Sequence, residues 1–323
     1  MIRTRVCDLL GVEHPIVLGG MASGTSAPLV AAVSNAGGLG TLGASNLNPQ
    51  QVGEQLSAIR ASTQNPFGVN FLLFRMEEEA FSAALKARPP VVALAWARPD
   101  QDLAAYFRRV HDAGSKVMYM AGEVPEAVRA AQAGADAIVA QGTEGGGHVG
   151  WMASMPLVPM VVSAVSPRPV LAAGGIADGR GLAAALALGA EGALLGTRFL
   201  ATEESPLHPN HKQAILRSDG HDTVLTEIPD IASRQVWPGA MVRALRNGFI
   251  QRWSGWEWAL RRMSREVGPA AIAARQAGDV ENAPLLVGQD AGLIDKVEPA
   301  GEVVGRIAAE AEDILANRLS GLI

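Results

Sequence analysis

Ala172-Ala173-Gly174-Gly175-Ile176-Ala177-Asp178-Gly179-Arg180 is the segment of this 323-residue chain that distinguishes best between the possible folds. An apolar run ends in paired glycines, and a helix is predicted to begin near Asp178. Glycine pairs let backbone N–H groups point into one concavity, and a helix N-terminus adds partial positive charge, so the stretch predicts an anion site. A second loop of this kind, Gly196-Thr197-Arg198-Phe199, ends the next apolar run.

Apolar runs recur at similar intervals along the chain. Most are followed by a helical segment that ends at an Ala-Gly or Leu-Gly signal, as at Gly114, Gly134 and Gly189. The runs are continuous, not alternating, which is typical of parallel strands covered on both faces. Eight strands are predicted, over Pro15–Met21, Leu39–Ala44, Phe67–Leu73, Val91–Ala97, Lys116–Ala121, Ala137–Gln141, Pro169–Gly175 and Gly192–Leu200.

Two α/β folds share this rhythm, the (β/α)8 barrel and the doubly wound open sheet. An open sheet usually has its phosphate loop after the first strand, whereas barrels bind phosphate after the seventh and eighth strands. The two glycine loops follow the seventh and eighth runs here. The sequence therefore predicts a (β/α)8 TIM barrel.

One segment interrupts the rhythm. From about Ser205 to Pro284 the chain carries four of its six tryptophans, and we predict a mostly helical insertion after strand 8 that covers the catalytic mouth as a lid or substrate-pocket wall. The predicted division is a barrel over 1–204 and 295–323, with the insertion over 205–294. An amphipathic helix over Ala300–Leu319 is expected to be the eighth outer helix.

Composition narrows the class of partner. A net charge of -5 provides no basic field for nucleic acid, so a small-molecule partner is expected. Cys7 is the only cysteine, which excludes an internal disulfide and suits the cytoplasm; it is predicted to be buried near the first strand. The uncharged stretch 15–53 is broken by Gly, Ser, Asn and Pro, so we expect no membrane span or signal peptide.

A histidine follows a run of glycines in Ala140-Gln141-Gly142-Thr143-Glu144-Gly145-Gly146-Gly147-His148. Three consecutive glycines allow positive φ values and close approach to a flat ligand. An imidazole can accept or donate a proton near neutral pH, so His148 is the predicted proton-transfer group at the rim of the barrel. Trp151, just after it, is interpreted either as a roof over the site or as a core residue.

Two further segments suit a planar heterocycle. Gly19-Gly20-Met21 ends the first run with small residues and a soft apolar side chain, and Asn70 is placed at the end of the third strand, where its carboxamide can both donate and accept hydrogen bonds. His208 and His211 lack convergent carboxylates, and no metal site is predicted.

These motifs, taken in order, resemble the nitronate monooxygenase family, formerly called 2-nitropropane dioxygenases, which are FMN-dependent TIM barrels. The resemblance covers nearly the whole chain. It implies that Gly20, Met21 and Asn70 line the isoalloxazine ring, with Gln141, Gly146 and Gly147 near it. It also implies that Gly174, Gly175, Gly196 and Thr197 bind the phosphate, and that His148 faces the substrate near flavin N5. The segments that carry the resemblance are Pro15–Met21, Asn35–Gly40, Pro66–Asn70, Gln141–His148, Ala173–Arg180 and Gly196–Thr202.

Three segments bear on the family subgroup. Family members often have alanine where this chain has Gly145. Some reductase relatives carry lysine on the fifth strand, where this chain has Met118-Tyr119-Met120. The segment Gly288-Gln289-Asp290-Ala291-Gly292-Leu293 resembles a Gly-Gln-Ser-Ala-Gly-Leu pattern that is found in several subgroups, reductases included.

The leading hypothesis is FMN-dependent oxidation of alkyl nitronates, with nitroalkanes as a further substrate class, by O2 to a carbonyl compound and nitrite. His148 would act as the base or as a hydrogen-bond donor at the flavin. The first alternative is an NAD(P)H-dependent flavin reductase of quinones or enoyl-ACP on the same fold. The second is a flavin-free phosphate-ligand binding protein or lyase, against which the absence of lysine at the strand ends argues. A homodimer is an expected assembly.

Overall fold

The core of the computed structural model is a closed parallel barrel, and the structure describes residues 2–318 and Gly321. The barrel strands are β1 (Ile16–Leu18), β2 (Gly40–Gly43), β3 (Phe67–Leu72), β4 (Val91–Ala95), β5 (Lys116–Ala121), β6 (Ala137–Gln141), β8 (Val170–Ala173) and β9 (Ala193–Leu195); β7 (Gly147–Val149), β10 (Thr223–Thr226) and β11 (Met241–Leu245) lie outside it.

The strand order confirms the barrel. It runs β1-β9-β8-β6-β5-β4-β3-β2, all parallel, and a bridge between Val17 and Leu39 joins the last strand to the first. Each barrel strand lies within its predicted apolar run. The eighth run was predicted too long, because its second half, Thr197–Leu200, forms a helical turn. The open-sheet alternative is wrong.

Helices cover the outside of the barrel and end where the glycine signals predict. Gly114, Gly134 and Gly189 have φ values of 82°, 105° and 91°, which suit a helix stop that only glycine adopts without strain. The helices are α1 (Arg5–Leu10), α2 (Ala27–Asn35), α3 (Pro49–Ser62), α4 (Glu78–Lys86), α5 (Leu103–Asp112), α6 (Val124–Ala133), α7 (Ser154–Val165), α8 (Gly179–Ala187), α9 (Thr197–Leu200), α10 (Pro209–Arg217), α11 (Ile228–Ser233), α12 (Gly248–Trp253), α13 (Glu257–Gln276) and α14 (Ala300–Asp313).

The inside of the barrel is closed at its N-terminal end. Val17, Leu39 and Leu171 belong to an interior cluster that also contains Val6 and Cys7 of α1. Cys7 is a free thiol, 1% exposed, as predicted. Because α1 packs across this end, the open space of the barrel lies at the C-terminal ends of the strands.

The predicted insertion leaves and rejoins the barrel at adjacent points. Thr202 and Glu298 form a parallel bridge, and the buried Arg198 donates hydrogen bonds to the carbonyls of Ala201 and Lys296, at 2.7 and 2.9 Å. Beyond this junction α14 packs against α8 and α2, in the place of an eighth outer helix. Leu319, the last residue of the predicted helix, lies outside the described residues.

The segment between these points contains four helices, α10 to α13, a 3₁₀ turn at Gln289–Leu293, and two strands that the sequence did not predict. Strand β11 pairs antiparallel with β10 on one side and with β7, from the barrel loop, on the other. In this register Val242 lies opposite His148. The three-stranded sheet therefore ties the glycine-rich loop of the barrel to the insertion. No helix in the described part of the chain has the length and apolarity to cross a membrane.

Candidate active site

A cavity of about 440 Å³ lies at the C-terminal ends of the barrel strands. Its walls come from barrel loops and from the insertion, which contributes Pro229, Asp230, Trp237 and Arg275 among others. All the residues predicted to bind the cofactor or to transfer the proton line this cavity: Gly20, Met21, Asn70, Gln141, Gly146, Gly147, His148, Gly174, Gly175, Gly196 and Thr197.

The two glycine loops present unused backbone donors to the cavity. Gly174 and Gly175 have φ values of 95° and 73°, and a Cβ on Gly174 would lie 2.7 Å from the carbonyl oxygen of Gly142. Within the described residues, the N–H groups of Gly174, Gly175, Gly196 and Thr197 donate to no acceptor. Four unpaired N–H groups on two loops that line one cavity fit an anionic group such as a phosphate.

The expected contribution of the α8 N-terminus is wrong. The Asp178 carboxylate accepts hydrogen bonds from the N–H groups of Arg180 and Gly181, at 2.9 and 3.2 Å. The N–H of Gly179 donates to Glu310 Oε2 at 2.8 Å. Because two carboxylates already occupy the first turn of α8, that helix adds no free N–H group to the anion cradle.

The ring-binding candidates form the floor of the cavity. A Cβ on Gly20 would lie 2.3 Å from the Cβ of Asn70, so only glycine allows these two segments to touch. Asn70 was predicted at the end of the third strand, but it lies inside β3. Its Nδ2 donates to the Ala93 carbonyl at 3.3 Å. Gln141 ends β6, and its buried Oε1 has no hydrogen-bond partner among the described residues. An orphaned acceptor beside a glycine platform fits a heterocycle that carries an N–H group.

His148 lies on β7, and its ring is held by two residues of the insertion. Its Nε2 is 2.9 Å from Asp230 Oδ1, and both side chains are 13% exposed. The indole of Trp237 stacks on the imidazole, with ring centroids 3.3 Å apart and planes 12° apart. His148 Nδ1 has no hydrogen-bond partner among the described residues and is not buried. The geometry therefore leaves one ring nitrogen free for a ligand in the cavity.

Sequence reasoning missed Asp230 and did not single out Trp237 among the tryptophans of the insertion. Asp230 is 82 positions away from His148 in the sequence. The pairing of β11 with β7 brings the insertion to the histidine. No local pattern around Asp230 distinguishes it from an ordinary helix residue. Trp237 packs in turn against Phe74 and Trp96, with centroid distances of 4.7 and 6.0 Å.

Arg75 is a second missed residue of the site. Its guanidinium donates to Gln235 Oε1 at 3.0 Å and to Asn46 Oδ1 at 2.6 Å, and it lies 5.8 Å from the Trp237 ring centroid. Burial lowers the pKa of Arg75, and the charge of Asp230 opposes that shift. Arginine keeps its proton in proteins, so Arg75 contributes positive charge to the cavity wall.

The glycine-rich loop is held from both sides. The Glu144 carboxylate accepts from the Ser154 N–H and hydroxyl, at 3.0 and 2.9 Å. Arg243 of β11 donates from Nε to the Thr143 carbonyl at 2.8 Å. A Cβ on Gly146 would lie 2.5 Å from the Gly288 nitrogen, so the loop packs backbone to backbone against the end of the insertion.

Trp151 takes no part in the site. Its side chain is 70% exposed and does not line the cavity, so both earlier interpretations of it, a roof and a core residue, are wrong. His208 uses Nδ1 to accept from the Asn210 N–H at 3.2 Å, which caps α10. No group of three His, Cys, Asp or Glu residues suited to a metal occurs in the described part of the chain.

A closed parallel barrel with a large cavity at the C-terminal ends of its strands is the architecture of an α/β-barrel enzyme. The model of the family described as nitronate monooxygenase matches residues 3–84 and 78–310. A probable nitronate monooxygenase of Staphylococcus aureus is 32% identical over 97% of this chain and 98% of its own length. This chain therefore belongs to the nitronate monooxygenase family, which is a family of flavin-dependent oxidoreductases.

Two solved structures show the same fold over the full length. FabK from Thermotoga maritima has 37% identity and a TM-score of 0.90, with 100% of both chains covered. A nitroalkane oxidase from Streptomyces ansochromogenes has 30% identity and a TM-score of 0.83, with 98% of this chain and 99% of that chain covered.

Proposed function

We propose that this protein is an FMN-dependent enzyme that oxidises alkyl nitronates, and nitroalkanes as a further substrate class, by O2 to a carbonyl compound and nitrite. The observation that carries the proposal is that His148, whose Nδ1 has no hydrogen-bond partner among the described residues, lines the same cavity as the two glycine loops with their unpaired amides. The family match and the similarity to a nitroalkane oxidase support it.

We assign the cavity residues to the parts of the cofactor as follows. The amides of Gly174, Gly175, Gly196 and Thr197 would hold the phosphate. The isoalloxazine would lie on Gly20 and Met21, with Asn70, Gln141, Gly146 and Gly147 around its edge. Bound FMN would supply the electron transfer between substrate and dioxygen, while the protein supplies position and electrostatics.

His148 would handle the proton. In the tautomer whose Nε2–H donates a hydrogen bond to Asp230, Nδ1 carries a lone pair. That lone pair would accept the α-proton of a nitroalkane. The resulting imidazolium would be stabilised by the Asp230 carboxylate. It could then donate a hydrogen bond to a nitronate oxygen.

Two neighbours would prepare the site for an anion. Trp237 covers one face of the imidazole and fixes the plane of the ring, which also keeps water from that face. The positive charge of Arg75 would attract a negatively charged nitronate. A nitronate carries its charge before it reacts, so this attraction favours binding of that form over a neutral nitroalkane.

The similarity to FabK supports a second candidate, an NAD(P)H-dependent flavin reductase of enoyl-ACP or quinones. A Schiff-base lyase without flavin has no such support, because no lysine lines the cavity in the described part of the chain.

The nitronate-oxidising enzyme and the NAD(P)H-dependent reductase differ in their electron donor. We expect O2 uptake on addition of an alkyl nitronate to the FMN-loaded protein, with nitrite as product. We expect anaerobic NADH or NADPH to leave the flavin absorbance nearly unchanged. Rapid bleaching by either nucleotide, together with no nitronate-dependent O2 uptake, would replace the oxidative function by the reductase.

A further inference from the structure

Asp290 lies at the phosphate end of the cavity. The 3₁₀ turn Gln289–Leu293 packs beside α9, and the Asp290 side chain lines the cavity together with Gly196 and Thr197 while only 5% exposed. Thr197 Oγ1 accepts from the Gly288 N–H at 2.9 Å, two residues before Asp290. The turn is held by the Gln289 N–H, which donates to the Glu144 carbonyl at 2.9 Å.

The surroundings of Asp290 favour its neutral form. Burial raises the pKa of Asp290 to about 7, against the opposing effects of its own backbone N–H, Thr197 and the charge of Arg198. Arg198 is the cation that faces Asp290, and it is already engaged by two carbonyls and by Glu298, 3.8 Å away. Asp295 and Arg306 complete the set of charged groups around Arg198.

A carboxylate and a phosphate in one cradle would repel each other, whereas a protonated carboxyl group can donate a hydrogen bond to phosphate oxygen. The carboxyl group of Asp290 can donate only while it holds its proton.

We propose that Asp290 binds the phosphate of FMN as a neutral hydrogen-bond donor, so that cofactor binding takes up one proton from solution at alkaline pH. The inference rests on the proposed function in one respect, the position of the phosphate beside Gly196 and Thr197. Its consequence is that the affinity of this chain for FMN depends on the protonation of Asp290.

The sign of the coupling follows from protonation. Below pH about 7 the empty site already holds the proton, and Asp290 adds no pH dependence to binding. Above it the empty site is ionised while the FMN complex stays protonated, so affinity falls as pH rises. One proton per FMN corresponds to about a tenfold increase in Kd per pH unit.

The test is FMN titration of the flavin-free full-length chain between pH 7 and pH 9, followed by quenching of flavin fluorescence. We expect the Kd of the wild type to rise about tenfold per pH unit at the alkaline end. Asp290→Asn and Asp290→Ser should give a flat profile, since both residues donate without titrating. Calorimetry in two buffers of different ionisation enthalpy should show proton uptake in the wild type and none in the variants.

Riboflavin is the matched ligand, because it has the same ring and no phosphate. Its affinity should not change over this range in the wild type. A flat FMN profile in the wild type, or a slope that survives in both variants, overturns the role of Asp290 and leaves the proposed function standing. Absence of FMN binding at every pH overturns both.

Discussion

At the scale of single residues, His148 depends on partners that the barrel does not supply. Asp230 orients the ring through Nε2, and Trp237 covers its face. A hydrogen bond to a carboxylate both selects the tautomer and stabilises the charged form of the ring. The same imidazole on a free loop would have neither a defined tautomer nor a defined direction.

We predict that His148→Ala loses about 10²–10⁴-fold in kcat for nitroalkane oxidation, the usual contribution of a general acid or base. FMN content should stay at the wild-type level, because the phosphate cradle is built from other residues. Initial rates of O2 uptake and the flavin absorbance of the purified variant measure the two effects.

The control for this prediction is Trp151→Ala. Trp151 is three residues away in sequence, but its exposed side chain does not reach the cavity. Its substitution should leave kcat and FMN content unchanged. Wild-type turnover in His148→Ala would show that the histidine does not transfer the proton.

At the scale of elements, strand β7 is the connection between the barrel and the insertion. It turns the end of a barrel loop into the edge of a small sheet, and Arg243 of β11 reaches back to the Thr143 carbonyl. The direction of His148 is thus set by strand pairing. Substitutions that disturb the glycine-rich loop before β7 should affect the cofactor site as well.

Gly146→Ala should destabilise the protein by about 1–3 kcal/mol, the range for overpacking a close contact. The new Cβ would lie 2.5 Å from the Gly288 nitrogen and 2.5 Å from the Val287 carbonyl carbon, where no flexible side chain can move away. We expect a lower midpoint in urea unfolding and weaker FMN binding, since Gly146 also lines the cavity.

Gly145→Ala is the matched variant for the neighbouring position. Its Cβ would have a side-chain carbon of Val149 at 3.3 Å as its nearest neighbour, a contact that a small shift relieves. Its unfolding midpoint should stay close to that of the wild type. If the unfolding midpoint falls equally in both variants, the backbone contact of Gly146 is not the reason for the loss of stability.

At the scale of the whole molecule, barrel and insertion enclose one cavity and share one sheet. A ligand in that cavity contacts both parts. The two parts should therefore unfold together and gain stability together. This is also how we interpret the segment 205–294: as a wall of the active site.

FMN at about 100 times its Kd should add about 2.7 kcal/mol to the free energy of unfolding, or about 5 °C in Tm. Four of the six tryptophans lie in the insertion, so tryptophan fluorescence reports mainly on it, whereas far-ultraviolet circular dichroism reports on the whole chain. Both probes should give the same transition and the same shift.

Riboflavin at the same concentration serves as the comparison. It should give a smaller shift in Tm, because it lacks the phosphate. Two separate transitions, or a shift seen by one probe alone, would contradict a shared cavity.

Much of the fold was predictable from the sequence because its signals are local. Apolar runs, glycine stops and the two late glycine loops each act within a few residues, and they placed all eight barrel strands. They also brought the predicted site residues to one cavity, because strand ends of a parallel barrel meet at the same mouth. Cys7 was correctly predicted to be buried.

The errors arose where a second segment competes for the same groups. The N-terminus of α8 was predicted to bind an anion, but Glu310 of α14 and the cap residue Asp178 satisfy its N–H groups. Strands β10 and β11 were missed because short strands of an insertion have no strong periodicity and are stabilised by pairing with a distant loop.

The barrel, the flavin-family motifs and the glycine-flanked His148 can be predicted from the sequence, since they depend on the order of nearby residues. The surroundings of that histidine, and the residue beside the phosphate cradle, are known only once the chain is folded. Asp230, Trp237 and Asp290 reach the cavity through contacts between segments far apart in the chain. Hydrogen bonding, stacking and burial depend on distance in space, and no spacing along the chain encodes them.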